Sequence, residues 1–379
     1  MKIERVETFQ ISCPIEPNFG WSQGWVDHRV AGLVKITTDD GSVGWGEGCV
    51  GSAAAVVEQD LAPLLRGGDP MDRLGLWEAM FAANYNGNTI VGLVGNAISA
   101  VDIALWDLAG KIAGRPVFDL LGGRLRDRVA VYATGLYYTE GELPDRLPAE
   151  ARGYAEAGFL GMKTKVGGLS IEADVARVGA IRDAIGPDVH LAVDANQGYD
   201  AASAQRIAAR LGEHNVIWFE EPVNALDVEG YMQVKATAPM AIAGGECLRT
   251  RFEWRPFFKS RALDIAQPDV SMCGGITEMA RIIAAANSTG VQVYPHVWGT
   301  PVMISASLHV ASTIPNTPTV HNPLPFCQEP VMEFDRTPSA MREEICTTAF
   351  DQEDGFLSVP TGPGLGVEVD ERALQHFAV

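Results

Sequence analysis

The stretches HLAVDAN (190–196), VIWFEEP (216–222) and AIAGGE (241–246) decide the fold. In each, a run of about four apolar or small residues leads to an acid. The acids are Asp194, Glu220 and Glu246, and each follows the last by 26 residues. An apolar run of that length ending in a charge is the pattern of a buried parallel strand with the acid at its C-terminal tip. One strand, one helix and two short connections use roughly this many residues in a β/α barrel, where functional side chains gather at the C-terminal strand ends. Three tips then face one mouth, and three carboxylates from neighbouring strands suit a hard divalent cation, magnesium first among them. An acid after a strand can instead cap the next helix, a reading that equal spacing makes hard to hold for all three. Without a cation, three converging anions would raise the pKa of at least one of them.

Outward from this core the same rhythm continues. VAVYAT (129–134), GMKTKV (161–166), VHLAVD (189–194), NVIWFE (215–220), MAIAGG (240–245), LDIAQ (263–267), VQVYP (291–295) and TPTVH (317–321) are eight candidate strands. Between them lie helical stretches such as SIEADVARVGAIRDAIG and GITEMARIIAAANSTG. The first 125 residues do not share the period. They read as a strand to about Ser12, a polar aromatic loop over 14–28, and a hairpin in VAGLVKITTDDGSVGWGEG, whose Asp-Gly turn is a strong hairpin signal. Helical periodicity follows over 52–66, 70–84 and 92–114. The chain therefore divides into an α+β domain over 1–125, a β/α barrel over 126–345, and a tail over 346–379 that returns to the first domain. In that tail VPTGPGLGVEVDERALQHF reads as a loop, a short strand and a helix.

The chain has 379 residues, 47% of them apolar and 20% charged, as expected of a globular protein with a large core. A net charge of −19 and a pI near 4.7 argue against nucleic acid or an anionic membrane surface as partner. No signal-peptide layout opens the sequence, and no apolar run approaches the roughly 20 residues of a membrane span. The six cysteines are scattered without C-x-x-C spacing and read as reduced thiols. A cytoplasmic location is the expectation.

Two of only seven lysines, Lys163 and Lys165, stand two positions apart on one strand and so point to the same face. A solvated pair on a strand edge is the plainer alternative. Near a cation and a second ammonium, such a lysine has a depressed pKa and can act as a general base. Asp269 follows LDIAQP and His296 follows VQVYP, one strand step later. A carboxylate at one tip can orient an imidazole at the next and raise its pKa, giving a second acid/base, although a histidine after a strand can also be purely structural. A metal between two bases suits removal of a proton α to a carboxylate.

KTKVG, VDANQGY, WFEEPV, AGGE, QPDVSMCGGITE and YPHVWGT together resemble the strand-end motifs of the enolase superfamily, in the mandelate racemase-like branch of the mandelate racemase and muconate lactonizing enzymes. The resemblance spans nearly the whole chain. It implies an α/β fold, a modified TIM-type (β/α)7β barrel behind an N-terminal α+β capping domain, and one Mg2+ per subunit on Asp194, Glu220 and Glu246. It further implies that Lys165 is the base on one face, helped by Lys163, and that His296 paired with Asp269 acts on the other. A glutamate just past the last strand should meet the substrate carboxylate, with Glu333 chosen over Glu329. Capping-domain loops near 14–28 and 47–54 would bring Trp21, Trp25, His28 and Cys49 to the substrate, and Asn196 of VDANQGY would join them. Relatives are dimers or octamers, so a homo-oligomer is implied.

Within this branch the first proton abstraction is shared and the fate of the enediolate differs. YPHVWGT, HNPLPF, EPVMEFDRTP and VPTGPGLGVEVD resemble acid-sugar dehydratases and galactarolactone cycloisomerases more than mandelate racemase, which favours β-elimination from a sugar acid or aldarolactone. A racemase or epimerase using the same two bases is the alternative. A Schiff-base aldolase would instead use Lys165 as nucleophile and ignore chelators, and a noncatalytic barrel would have no use for both bases.

Overall fold

The computed structural model describes residues 1–85, 92–141 and 145–379. The N-terminal domain is built on an antiparallel sheet of β1 (Ile3–Trp21), β2 (Gly24–Thr38) and β3 (Val43–Glu47), in that order. The β2–β3 turn falls at the Asp-Gly pair, as expected. The segment 14–28 is not a loop: β1 and β2 pair again at Phe19↔Val26, Gly20↔Trp25 and Trp21↔Gly24, beyond a register shift between Pro14 and Phe19. Pro14 and Pro17 cannot donate to a ladder, which breaks the pairing locally, and the aromatic residues beyond them resume it. The extended hairpin reaches the barrel, where Gly20 and Tyr138 exchange backbone hydrogen bonds of 2.8 and 3.1 Å and Ser22 Oγ donates to the carbonyl of Ala195 at 2.6 Å.

The helix Leu93–Ala113 packs against β3 because Gly44 and Gly46 leave its backbone room: a Cβ at Gly46 would lie 2.0 Å from the Ala100 carbonyl oxygen. This is the one described helix long and apolar enough to cross a bilayer, and it is buried instead, between that sheet and the barrel.

Eight parallel strands form the barrel: β4 (Arg128–Thr134), β5 (Gly161–Lys165), β6 (His190–Asp194), β7 (Val216–Glu220), β8 (Ala241–Gly244), β9 (Ile265–Ala266), β10 (Gln292–Val293) and β11 (Val331–Asp335). They run β10-β9-β8-β7-β6-β5-β4-β11, and Glu333 N donating to the Pro295 carbonyl at 3.3 Å joins the ends of the row. A helix follows each of the first seven strands, giving the (β/α)7β arrangement. Ala130, Tyr132, Ala192, Trp218, Ala243, Ile265, Tyr294 and Val331 fill the interior, while the alternate residues pack on the helices.

The eighth strand corrects the sequence reading. TPTVH is an exposed, irregular segment, and the strand is VMEFD, fourteen residues later in the chain. The Pro-rich stretch between them runs under the barrel: Phe326 stacks on His190 at 4.5 Å and near Trp218 at 6.1 Å, at the N-terminal end of the strands. Beyond β11, β12 (Phe356–Ser358) pairs antiparallel with β4. After the helix Glu371–His376 the chain returns to β1, where Ser12 N donates to Phe377 O at 2.8 Å and Val379 N to Gln10 O at 3.1 Å.

Candidate active site

Strand register assembles the site. Lys165 pairs with Asp194 and Asp194 with Glu220 across three adjacent strands, and all three side chains point inward. Glu246 follows β8 by two residues. One oxygen from each of Asp194, Glu220 and Glu246 lies within 4.8 Å of the others. Lys165 Nζ is 2.5 Å from Asp194 Oδ2, and Lys163 Nζ bonds Glu220, reaches Glu333 at 3.1 Å and stands 3.7 Å from Asp194. Gln267 Nε2 and Trp218 Nε1 donate to the other oxygen of Glu220 at 2.7 and 3.2 Å.

On the opposite side of the mouth, His296 Nδ1 lies 2.6 Å from Asp269 Oδ2. The second oxygen of Asp269 accepts from the Ser271 amide at 2.7 Å and its hydroxyl at 2.6 Å, which fixes the carboxylate plane. His296 Nε2 faces Glu246 at 3.3 Å and Glu333 at 3.4 Å. A cavity of about 190 Å³ lies between the two halves, lined by Lys165, Glu246, His296 and Glu333 and walled by Phe19, Trp21, Tyr137, Asn196, Met272 and Trp298.

The electrostatics follow from burial and from these pairs. Burial pushes Glu220 up to about 7, with Asp194, Glu333 and Glu246 adding to the rise against Lys163. Repulsion among the acids is thus visible, though burial outweighs it. Burial alone would raise Asp194 and Glu333 as well, but the lysines hold Asp194 below the usual range, and with His296 they bring Glu333 to about 2. Burial would depress Lys165, yet the adjacent Asp194 carboxylate raises it. His296 is raised to about 10: burial opposes the charge, and Glu246, Glu333 and Asp269 overcome it.

The donors fit a hard divalent cation. They are three carboxylates with converging oxygens, and the neighbouring Asn196 Oδ1, in the cavity wall, is buried without a hydrogen-bond partner.

The structure distributes the sequence candidates unevenly. Lys163, Lys165, Asp194, Glu220, Glu246, Asp269, His296 and Glu333 come together, with Trp21 and Asn196 on the wall. Glu333 lies on the last strand rather than past it, held by Thr134 Oγ1 at 2.5 Å and Val297 N at 3.2 Å. Glu329 is 3.3 Å from Arg126, away from the cavity, in the segment beneath the barrel. Trp25 is 52% exposed with its ring over Gly20, and the His28 side chain is 54% exposed beside Asp27. Cys49 is fully buried in the small domain's core, where its thiol meets the Leu33 carbonyl, and all six cysteines are free. None of these three lines the cavity. Sequence reading missed Gln267, Phe19, Tyr137, Met272 and Trp298. Gln267 and Trp298 each lie two residues from a chosen residue, Asp269 and His296, and that period-2 relation was the available signal. Phe19 likewise lies two residues before Trp21 on β1, while Tyr137 and Met272 stand in connections whose course the sequence does not set.

Comparison with known proteins bears on both domains. Residues 5–122 match the family model described as mandelate racemase / muconate lactonizing enzyme, N-terminal domain, and residues 146–373 match the one described as enolase C-terminal domain-like. The chain is 38% identical over 382 residues to the D-galactarolactone cycloisomerase of Agrobacterium fabrum, covering 100% of this chain and 99% of that one. It superposes on the 3,6-anhydro-D-galactonate cycloisomerase of Zobellia galactanivorans with a TM-score of 0.89 at 37% identity, over 100% of both chains. On a racemase of Streptomyces coelicolor A3(2) with bound magnesium it gives 0.88 at 30% identity, again over 100% of both.

Proposed function

The chain belongs to the mandelate racemase and muconate lactonizing enzyme family of the enolase superfamily, and from that premise we propose that it removes the proton α to the carboxylate of a sugar acid or aldarolactone and carries the enediolate on to β-elimination. The product is that of an acid-sugar dehydratase or a galactarolactone-type cycloisomerase. Asp194, Glu220 and Glu246 would hold one Mg2+, as superfamily members do. Held by these three acids, such an ion would supply Lewis acidity toward the substrate carboxylate, and the Asp194 charge that keeps Lys165 protonated would then be shared with it.

Lys165 is the base that takes the α-proton as the neutral amine, after losing its own proton, and its Nζ already stands at the cavity wall. Lys163, buried among Glu220, Glu333 and Asp194, contributes fixed positive charge where the enediolate gathers negative charge. Glu333, tied to Thr134 and Val297, presents a carboxylate edge to the substrate. His296 hands a proton from Nε2 to the departing oxygen, and Asp269 on Nδ1 stabilises the imidazolium before transfer.

One observation carries the reading: two acid/base groups, Lys165 and His296, face a single cavity with three converging carboxylates on the strands between them. The same opposed pair would also serve a racemase or epimerase, which is the second reading. Incubating the enzyme with an acid-sugar and aldarolactone panel plus Mg2+ in D2O, followed by NMR, separates the two. A 2-keto-3-deoxy acid or ring-rearranged product supports elimination, and deuterium uptake without it supports epimerisation. Neither outcome across the panel, or turnover indifferent to chelator, overturns the proposal. A cytoplasmic homo-oligomer, dimer or octamer, is proposed on the family resemblance, and light scattering tests the assembly.

A further inference from the structure

We propose that Glu47, the last residue of β3, is a positioning residue for His296, so that the small domain sets proton delivery in the barrel; the proposal rests on the role given to His296 above. His296 stands on the short connection between β10 and the helix Pro301–Ala311. Glu47 reaches across from the other domain and grips the end of that connection. Its buried carboxylate accepts from Thr300 N at 3.1 and 3.2 Å, Thr300 Oγ1 at 2.5 Å and Met303 N at 3.1 Å, so its charge is met by the N-terminal turn of the helix. Gly299 lets the strand end and the connection come this close, since a Cβ there would lie 2.4 Å from Met303 Sδ and 2.6 Å from Glu47 Oε1.

The next residue braces the partner of the dyad. Gly48, at φ 145°, lies so close to the Asp269 loop that a Cβ would meet the Ser271 carbonyl oxygen at 2.4 Å, and Ser271 is the residue that holds Asp269. The end of one capping strand therefore abuts both loops of the His296–Asp269 pair without itself lining the cavity. A shift of this strand end moves imidazole and carboxylate together, whereas Lys165, on the opposite side, is untouched by it.

The test is Glu47→Gln, which keeps shape but sets an amide NH2 against donors that the carboxylate accepted. For displaced reacting groups, kcat should fall by about 10- to 100-fold with KM changed by about twofold or less. In D2O, α-deuterium wash-in to recovered substrate should rise relative to product, because Lys165 still removes the proton while delivery at His296 lags. A general loss of structure would lower wash-in and product together. Thr300→Ala, which removes one donor and keeps two backbone ones, should show the same change in partition to a smaller degree, and circular dichroism and melting check that both variants fold. If His296→Asn is inactive while both variants match wild type in kcat and partition, the inference is wrong and the site reading stands. If His296→Asn turns over like wild type, both fall.

Discussion

Asp269→Asn is the substitution that interrogates the acid/base pair with least change of shape. Its Oδ1 would still accept from the Ser271 amide and hydroxyl, so the new NH2 must point at His296 Nδ1, now 2.6 Å from a carboxylate oxygen. A hydrogen bond to a charged group is worth about 1.5–3 kcal/mol, and one pKa unit corresponds to about 1.4 kcal/mol, so the variant should lower the imidazole by about one to two pKa units from its position near 10. The neutral ring would carry its proton on Nε2 and so could not act as a base, and in the imidazolium Nδ1–H would face the new NH2, a clash of donors that turns Nε2 away from the position in which it delivers its proton. Loss of a positioned general acid costs about 10²–10⁴ in rate. The assay is product formation from the best substrate of the panel as a function of pH. The basic limb of kcat/KM should move to lower pH, kcat should fall by about a hundredfold or more, and α-deuterium wash-in through Lys165 should persist. Rates within threefold of wild type with an unmoved limb would refute the role given to the pair.

Further outcomes follow from other parts of the molecule. Glu220→Gln removes one of the three converging carboxylates and leaves the other partners of Lys163, Glu333 and Asp194, in place, so calorimetry should find Mg2+ affinity weakened by at least about tenfold and turnover abolished. His309, buried with Nε2 on the Leu365 carbonyl and Nδ1 accepting from Phe118 N, is depressed by burial to about 4. Its folded pKa lies below the unfolded value near 6.5, so the unfolded chain binds the extra proton and stability is lost as pH falls from about 6.5 to 4, by up to about 3 kcal/mol. Urea unfolding of His309→Gln should show a correspondingly shallower acid loss than wild type, and equal slopes would remove the assignment. Gly46→Ala sets a methyl 2.0 Å from the Ala100 carbonyl oxygen and should destabilise the small domain by about 1–3 kcal/mol or more, read as a lower melting temperature.

The barrel was legible where burial on both faces writes an apolar run and function writes a charge at its end, as at Asp194, Glu220 and Lys165. Pattern failed where something other than burial sets the course of the chain. VMEFD carries Glu333 at its centre, a charge that interrupts the apolar run of a buried strand, yet that glutamate points into the site with Lys163 as its counter-charge. The extended hairpin was read as a loop over 14–28 because two prolines interrupt it, yet β2 keeps its alternation through Arg29 and His28. His28 therefore points out while its neighbour Arg29 turns in, onto Asp335, with its guanidinium 4.1 Å from the Trp298 ring. Cys49 directly follows Gly48, whose positive φ turns the chain in a direction no period predicts, and its thiol ends in the core. The wall residues Tyr137 and Met272 come from connections between elements, where periodicity carries no information about facing, whereas Phe19 shares a strand face with Trp21 and was hidden by reading 14–28 as a loop.

The central claim, that Asp194, Glu220 and Glu246 grip one divalent ion between Lys165 and His296, is tested most directly by anomalous diffraction from crystals grown with Mn2+ in place of Mg2+. One strong peak is expected, with a carboxylate oxygen of each of the three acids at about 2.0–2.3 Å. A peak instead among Glu221, Glu246 and Cys247, the other cluster of potential ligands among the described residues, or no peak at saturating metal, would contradict it.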